Sequence, residues 1–179
     1  MADITRLSSR IVYENPWLRV REDDVRFRDG HESIFGVVEK RDFAVVIARD
    51  ETGVWLVQQY RYAVGGRYWE FPQGSAVAGA TVSGEALARA ELAEETGLRA
   101  ERMQHLGRLF AGYGLSDHSF DVWLATGLTA GAPDRERSEQ DMVARHVSFA
   151  EWDAMVDDGR VRDSHSLAAW ALLLRATGG

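Results

Sequence analysis

The chain reads as an α/β fold, a mixed β-sheet flanked by helices with an N-terminal β-hairpin in front of it. Three observations predict this. Phe43 to Ala48, FAVVIA, is a continuous apolar run rich in β-branched residues, the pattern of a strand buried on both faces. From Gly84 to Thr96 the residues are mostly Ala, Leu, Glu and Arg, all good helix formers, and Gly97 is placed to end the helix as a left-handed cap. Around these two the order runs hairpin, strands, helix, strands, then two C-terminal helices, which is the order of a sheet covered by helices.

Taken in sequence, residues 10 to 14 and 17 to 28 alternate in the strand manner, with Leu18, Val20, Val25 and Phe27 among charges. Asp29-Gly30 is a hairpin signal, and Ser33 to Lys40 is the returning strand. After FAVVIA, Glu51-Thr52-Gly53 turns the chain and Val54 to Tyr60 returns. Ala63 to Arg67 is a glycine-containing loop before a short strand, Tyr68 to Phe71. Ser83 has the hydroxyl an N-cap needs, and Glu85 complements the dipole of the helix's first turn. Two strands follow, Arg102 to Phe110 and His118 to Ala125. The stretch from Gly131 to Met142 is the most polar in the chain and reads as a surface loop. Val143 to Phe149 is the last strand. A short helix, Glu151 to Asp158, ends at Gly159, and Asp163 or Ser164 caps a final helix with Leu167, Trp170, Leu173 and Leu174 at helical spacing.

A length of 179 residues suits one domain with a sizeable core and a small appendage, divided as 1–40 and 41–179. The absence of cysteine excludes a disulfide scaffold, a cysteine nucleophile and thiolate zinc sites, and fits a reducing compartment. The N-terminus lacks a signal-peptide core and no apolar run approaches 18 residues, so a cytoplasmic protein is expected. A net charge of −7 argues against nucleic acid or an anionic membrane as partner. There is no Walker A loop, no Gly-x-Gly-x-x-Gly between strand and helix, and no Gly-x-Ser-x-Gly. The five histidines are scattered without ligand spacing and are read as structural or surface residues.

The chemistry concentrates between Glu70 and Leu98, EFPQGSAVAGATVSGEALARAELAEETGL. Glu91, Glu94 and Glu95 stand at i, i+3, i+4, which stacks three carboxylates on one helix face. As a like-charged i, i+4 pair, Glu91 and Glu95 repel by roughly 0.2–0.5 kcal/mol in a bare helix. A divalent cation reverses that sign. Mg²⁺ takes oxygen ligands and is commonly held by one or two carboxylates together with substrate phosphates. An isolated ExxEE is more often a solvated acidic face, but here a glycine loop lies beside it.

Ala90 to Leu98, AELAEETGL, resembles the end of the Nudix box, Arg-Glu-aliphatic-x-Glu-Glu-x-Gly-aliphatic, at every defined position but one, and EFPQG resembles the box's opening. The resemblance implies an α/β/α Nudix sandwich. It further implies a pyrophosphohydrolase using Mg²⁺ or Mn²⁺, with Glu91 and Glu95 as principal metal ligands, Glu94 supporting and the Gln73 carbonyl adding a backbone oxygen. QYRY, residues 59–62, with EFPQG resembles the ADP-ribose and nucleotide-sugar subgroup. That makes Arg61, Glu70 and Arg67 substrate-site candidates and implies a homodimer built on the N-terminal strands. The loop before the last strand carries a catalytic glutamate in related pyrophosphatases; Glu139 is the best match, with Glu136 and Asp141 as neighbours. Trp69 and Tyr113 are placed to pack on a base or sugar, or simply in the core.

Four departures accompany the match. The family's arginine is Ala90, and Arg89 points about 100° away around the helix. Gly74 and Gly97 stand two residues further apart than the pattern, and the early loop glutamate falls on Val82. The subgroup's proline falls on Tyr113, sixteen residues past Gly97. These leave open a dinucleoside polyphosphate or nucleoside triphosphate substrate, and also a catalytically weak nucleotide-binding protein.

Overall fold

The computed structural model describes residues 3–76, 84–134 and 141–178. Two compact units appear. One comprises residues 1–42 and 110–119, the other 43–109 and 120–179.

The first unit is a three-stranded antiparallel sheet in the order β1 (Ile4–Glu14), β2 (Arg19–Phe27), β3 (Glu32–Glu39). The hairpin at Asp29-Gly30 forms as expected: Gly30 takes φ +88°, and its N–H donates to the Phe27 carbonyl at 3.0 Å. The chain before residue 10, which shows less alternation, also belongs to the sheet, pairing Ile4 with Phe27. Charged cross-strand pairs lie on both of its faces, Arg10 to Glu22 on one and Arg21 to Glu39 on the other. The segment from 110 to 119 joins this unit through Val38 N–H to the Leu115 carbonyl at 2.8 Å and Ser116 Oγ to the Val38 carbonyl at 2.7 Å.

In the second unit β4 (Phe43–Ala48) is central. It runs parallel to β9 (Ser119–Ala130) and antiparallel to the two-residue β7 (Gln73–Gly74), in the order β7-β4-β9-β8 with β8 at Leu98–Phe110. Val45, Val46 and Ile47 are fully buried, as a strand covered on both faces requires. Strand alternation sends Ala44, Val46 and Ala48 toward Ala88 and Leu92 of α1 (Gly84–Thr96). Phe43 faces the other way, edge-on to His165 of α3 (Ser164–Thr177) at 5.0 Å. A second sheet has β5 (Gly53–Arg61) between β10 (Val143–Ser148) and β6 (Gly66–Glu70), with α2 (Phe149–Asp157) packed on β5 and β10. The result is a mixed sheet system with helices on its faces.

Several details differ from the sequence reading. Residues 62–64 form a 3-10 turn, closed by Gly65 at φ +64°, so the loop before β6 is shorter than expected. β8 begins directly after Gly97, because Leu98 is buried and its N–H bonds Thr96 Oγ1 at 3.0 Å. In α3 the expected apolar stripe is only half buried: Leu167 and Leu174 are exposed, while Ser166, Ala169 and Leu173 face inward.

Candidate active site

Helix α1 has the expected bounds. Its stop is fixed by Gly97, whose N–H donates to the Ala93 carbonyl at 2.9 Å and whose φ is +77°. A side chain at Gly97 would also come within 2.5 Å of the Gly131 carbonyl oxygen. The start of the polar loop thus runs close against the end of the helix, and Asp134 N–H donates to the Glu94 carbonyl at 3.1 Å. Ser83, Val82, Glu136 and Glu139 lie outside the described residues.

The three carboxylates divide by burial. Glu95 is 1% and Glu91 9% exposed, while Glu94 is half-buried. The buried pair faces β7. Glu95 Oε2 accepts the Gln73 N–H at 3.1 Å, and the Glu91 carboxylate lies so close to Gly74 that a Cβ there would sit 2.3 Å from its Oε2. Only glycine leaves that space. Among the described residues no three acidic or histidine side chains converge into a closed cation cage. The buried carboxylates of Glu91 and Glu95, set against the Gln73–Gly74 backbone, are oxygen donors of the kind taken by a hard cation that keeps several waters and completes its shell with substrate phosphate.

The absent family arginine has no local replacement in Arg89. That side chain bonds Glu85 at 2.9 Å and the Ala100 carbonyl at 2.8 Å, on the flank of the helix toward β8. A Gly74→Ala variant probes the Glu91 contact directly. The clash falls on the end of a flexible side chain, so the melting temperature is expected to change little. Displacing the carboxylate is expected to cut turnover by about 10²-fold, the scale of a misplacement near 1 Å. Steady-state rates beside a thermal melt check it.

One strand away, Arg61 and Glu70 form a forked pair. Arg61 Nε donates to Glu70 Oε2 at 3.1 Å, Arg61 Nη2 donates to Oε1, and Gln59 Nε2 also reaches Oε1 at 3.1 Å. Glu70 is 3% exposed, and burial pushes its carboxyl above the ordinary range against the opposing pull of Arg61. Burial also works against the charge on Arg61, but Glu70 outweighs it and holds the guanidinium protonated. Arg67, at the far side of β6, donates through Nη2 to Asp141 at the end of the polar loop. Trp69 carries the Arg145 guanidinium 5.0 Å over its ring. Tyr113 belongs to the N-terminal unit and is 86% exposed.

The sequence reading missed the contribution of α3. Asp163 caps that helix by accepting Ser166 N–H at 2.9 Å, and its Oδ2 also accepts Gln73 Nε2 at 2.9 Å. Ser166 Oγ, fully buried, accepts the Phe71 N–H at 2.8 Å. Burial raises the Asp163 carboxyl, but the groups bonded to it, with His165, Ser166 and Gln73 among them, bring it well below the usual range. The capping signal was legible at Asp163; its second partner, ninety positions away, was not.

The α/β fold thus sets two buried carboxylates of α1 against the strand end at Gln73 and Gly74, and holds a forked arginine–glutamate pair at Arg61 and Glu70. The NUDIX domain matches residues 38–170, and the nucleoside diphosphate sugar hydrolase N-terminal domain matches residues 4–38. The chain belongs to the Nudix hydrolase family. It is 34% identical over 171 residues to an ADP-ribose pyrophosphatase of Mycobacterium tuberculosis, covering 93% of this chain and 81% of the relative. A crystal structure described as an ADP compounds hydrolase superposes with a TM-score of 0.86 at 17% identity, covering 99% of this chain and 97% of that one, a likeness of fold.

Proposed function

We propose that the protein hydrolyses the pyrophosphate bond of a nucleoside diphosphate sugar, with ADP-ribose as the leading substrate and Mg²⁺ or Mn²⁺ as cofactor. The observation that carries this is the meeting of Glu91 and Glu95 with Gln73 and Gly74 beside the Arg61–Glu70 pair. The relative named an ADP-ribose pyrophosphatase and the match to a nucleotide-sugar hydrolase N-terminal domain support the substrate class.

In this reading Glu91, Glu95, the Gln73 carbonyl and a supporting Glu94 hold the cation. When bound, it neutralises phosphate charge and lowers the pKa of the attacking water. Arg61 presents its guanidinium to the diphosphate while Glu70 keeps it oriented, and Arg67 stands ready to exchange Asp141 for a phosphate oxygen. Glu139 takes a proton from water as oxygen bonds to phosphorus and the bridging P–O bond breaks, giving two phosphate monoesters. Glu136 and Asp141 are the alternative bases from the same loop.

The homodimer belongs to the same reading. It is supported by apolar residues exposed on the N-terminal sheet, including Ile11, Tyr13, Ile34 and Phe35, with Trp17 76% exposed beside them. A cytoplasmic location goes with it, supported by the cysteine-free composition; among the described residues, no helix is long and apolar enough to cross a membrane. A second reading, a dinucleoside polyphosphate or nucleoside triphosphate as substrate, is favoured by one observation, the exposed Tyr113 ring at the family's proline position. Catalytically weak nucleotide binding is the third, and it rests on Ala90, Val82 and the two-residue insertion between Gly74 and Gly97.

The test is phosphate-releasing turnover of ADP-ribose, other nucleotide sugars, diadenosine polyphosphates and nucleoside triphosphates, each with Mg²⁺, Mn²⁺ or chelator. ADP-ribose is expected to be cleaved fastest, and only with metal. Preference for a polyphosphate would move the assignment to the second reading. A ligand that raises the melting temperature yet stays uncut would move it to the third.

A further inference from the structure

The turn that presents Gln73 is held mostly from outside itself. β7 is two residues long and pairs only with Ala44 and Val45, too short a ladder to fix its own position. Its anchors come from two elements. Val46 N–H donates to the Pro72 carbonyl at 2.9 Å, and the first turn of α3 supplies two more, Ser166 Oγ to Phe71 N–H and Asp163 Oδ2 to Gln73 Nε2. Asp163 is itself rigid. Its Oδ2 accepts Ser166 N–H at 2.9 Å and Ser166 Oγ–H at 2.7 Å, and its Oδ1 lies 3.2 Å from His165 Nδ1, whose ring packs edge-on against the stacked Phe43 and Phe120 rings at 5.0 Å from each.

We propose that Asp163 is a positioning residue for the cation site, fixing Gln73 through its side-chain amide so that the residue's backbone faces Glu91 and Glu95. The inference rests on the reading of Gln73 as a backbone ligand. A helix at the far end of the chain thereby sets the geometry of a site built from residues 73 to 95. A charge-assisted hydrogen bond to an ionised carboxylate is about twice as strong as a neutral one. It acts on a residue whose own N–H already bonds Glu95, so a shift of Gln73 moves a ligand oxygen and its neighbouring carboxylate together. Partners that orient metal ligands typically contribute 10–100-fold in affinity.

The variants separate this role from helix capping. Asp163→Ser keeps a hydroxyl able to cap α3 but is too short to reach Gln73. Asp163→Asn keeps both length and an acceptor oxygen. Mn²⁺ binding to the substrate-free protein, read by electron paramagnetic resonance, is expected to weaken about tenfold or more in Asp163→Ser and to recover within about threefold in Asp163→Asn. Without metal both variants should stay folded at the assay temperature, Asp163→Ser melting the lower of the two because it loses more of the bonds that hold the Asp163 carboxyl below its ordinary range. Gln73→Ala, which keeps the backbone carbonyl, should weaken Mn²⁺ as much as Asp163→Ser, and the double variant no more than either single one. Wild-type affinity in Asp163→Ser, or effects that multiply in the double variant, would overturn the proposal. Glu91→Gln is the control for the site. If it too binds Mn²⁺ like the wild type, the cation site is misplaced and the positioning role falls with it; if it loses Mn²⁺ while Asp163→Ser does not, only the positioning role falls.

Discussion

Replacing Glu95 or Glu91 with glutamine is expected to reduce metal-dependent turnover by about two to three orders of magnitude, some 3–4 kcal/mol of transition-state stabilisation. The fold should persist. Both side chains are buried, Glu95 at 1% exposure and Glu91 at 9%, and they lie at i, i+4 on one helix. In the metal-free protein glutamine therefore removes like-charge repulsion at nearly constant volume, and the melting temperature should match or exceed that of the wild type. The contrast appears on adding metal. At a concentration one hundred times its dissociation constant, a ligand of the native state contributes about 2.7 kcal/mol. For a chain of this length that is roughly 5–10 °C, present in the wild type and absent in the variants. Thermal melts with Mg²⁺ and with chelator, beside turnover, check both halves. Full activity in either variant would remove these carboxylates from the site.

The second large effect is expected from Arg61→Ala. It leaves Glu70, 3% exposed, without its forked partner. Removing one member of a buried pair costs about 3–5 kcal/mol, but the Arg61 side chain is 40% exposed, so about 2 kcal/mol is the better expectation. That is roughly 4–8 °C in melting temperature. The sign with pH follows from Glu70, whose carboxyl is already raised by burial. Without Arg61 it rises further, so the destabilisation is largest at neutral pH and above. It is relieved as pH falls through the raised folded-state pKa, where a protonated Glu70 is no longer a buried charge. Adding Glu70→Gln should recover much of the stability but not the rise in KM that loss of a diphosphate-binding guanidinium brings. A Tm series between pH 4 and 8, with KM for the best substrate, separates the two consequences. Unchanged KM in Arg61→Ala would confine the arginine to a structural role.

Much of this molecule was legible before its fold was known, and the legible parts are local ones. The bounds of α1, the spacing of Glu91, Glu94 and Glu95, the stop at Gly97 and the cap at Asp163 all depend on residues within about four positions of one another. FAVVIA reads as a doubly covered strand because composition alone makes it so. Elsewhere the local signal stood for something else. Leu167 and Leu174 repeat at helical spacing yet stay 37% and 42% exposed, because α3 turns Ser166 and Ala169 inward instead. Residues 111–117, between the strands expected to end at Phe110 and begin at His118, read as a loop, but the segment 110–119 joins the N-terminal sheet through Val38, a pairing across more than seventy positions.

The sequence by itself determined that a glycine-flanked helix with three carboxylates on one face follows a strand end, and which family that pattern belongs to. Helical period, capping and glycine's left-handed backbone are short-range properties that need no partner. The tertiary structure decided which carboxylates are buried, that the missing side chain of Gly74 is the space Glu91 occupies, and that Arg61 closes on Glu70. It also brought Asp163 and Ser166 across ninety positions to the turn at Gln73. These contacts join residues whose separation along the chain carries no periodic signal. They exist only once burial of the β4 strand between α1 and α3 has drawn both helices onto one strand end.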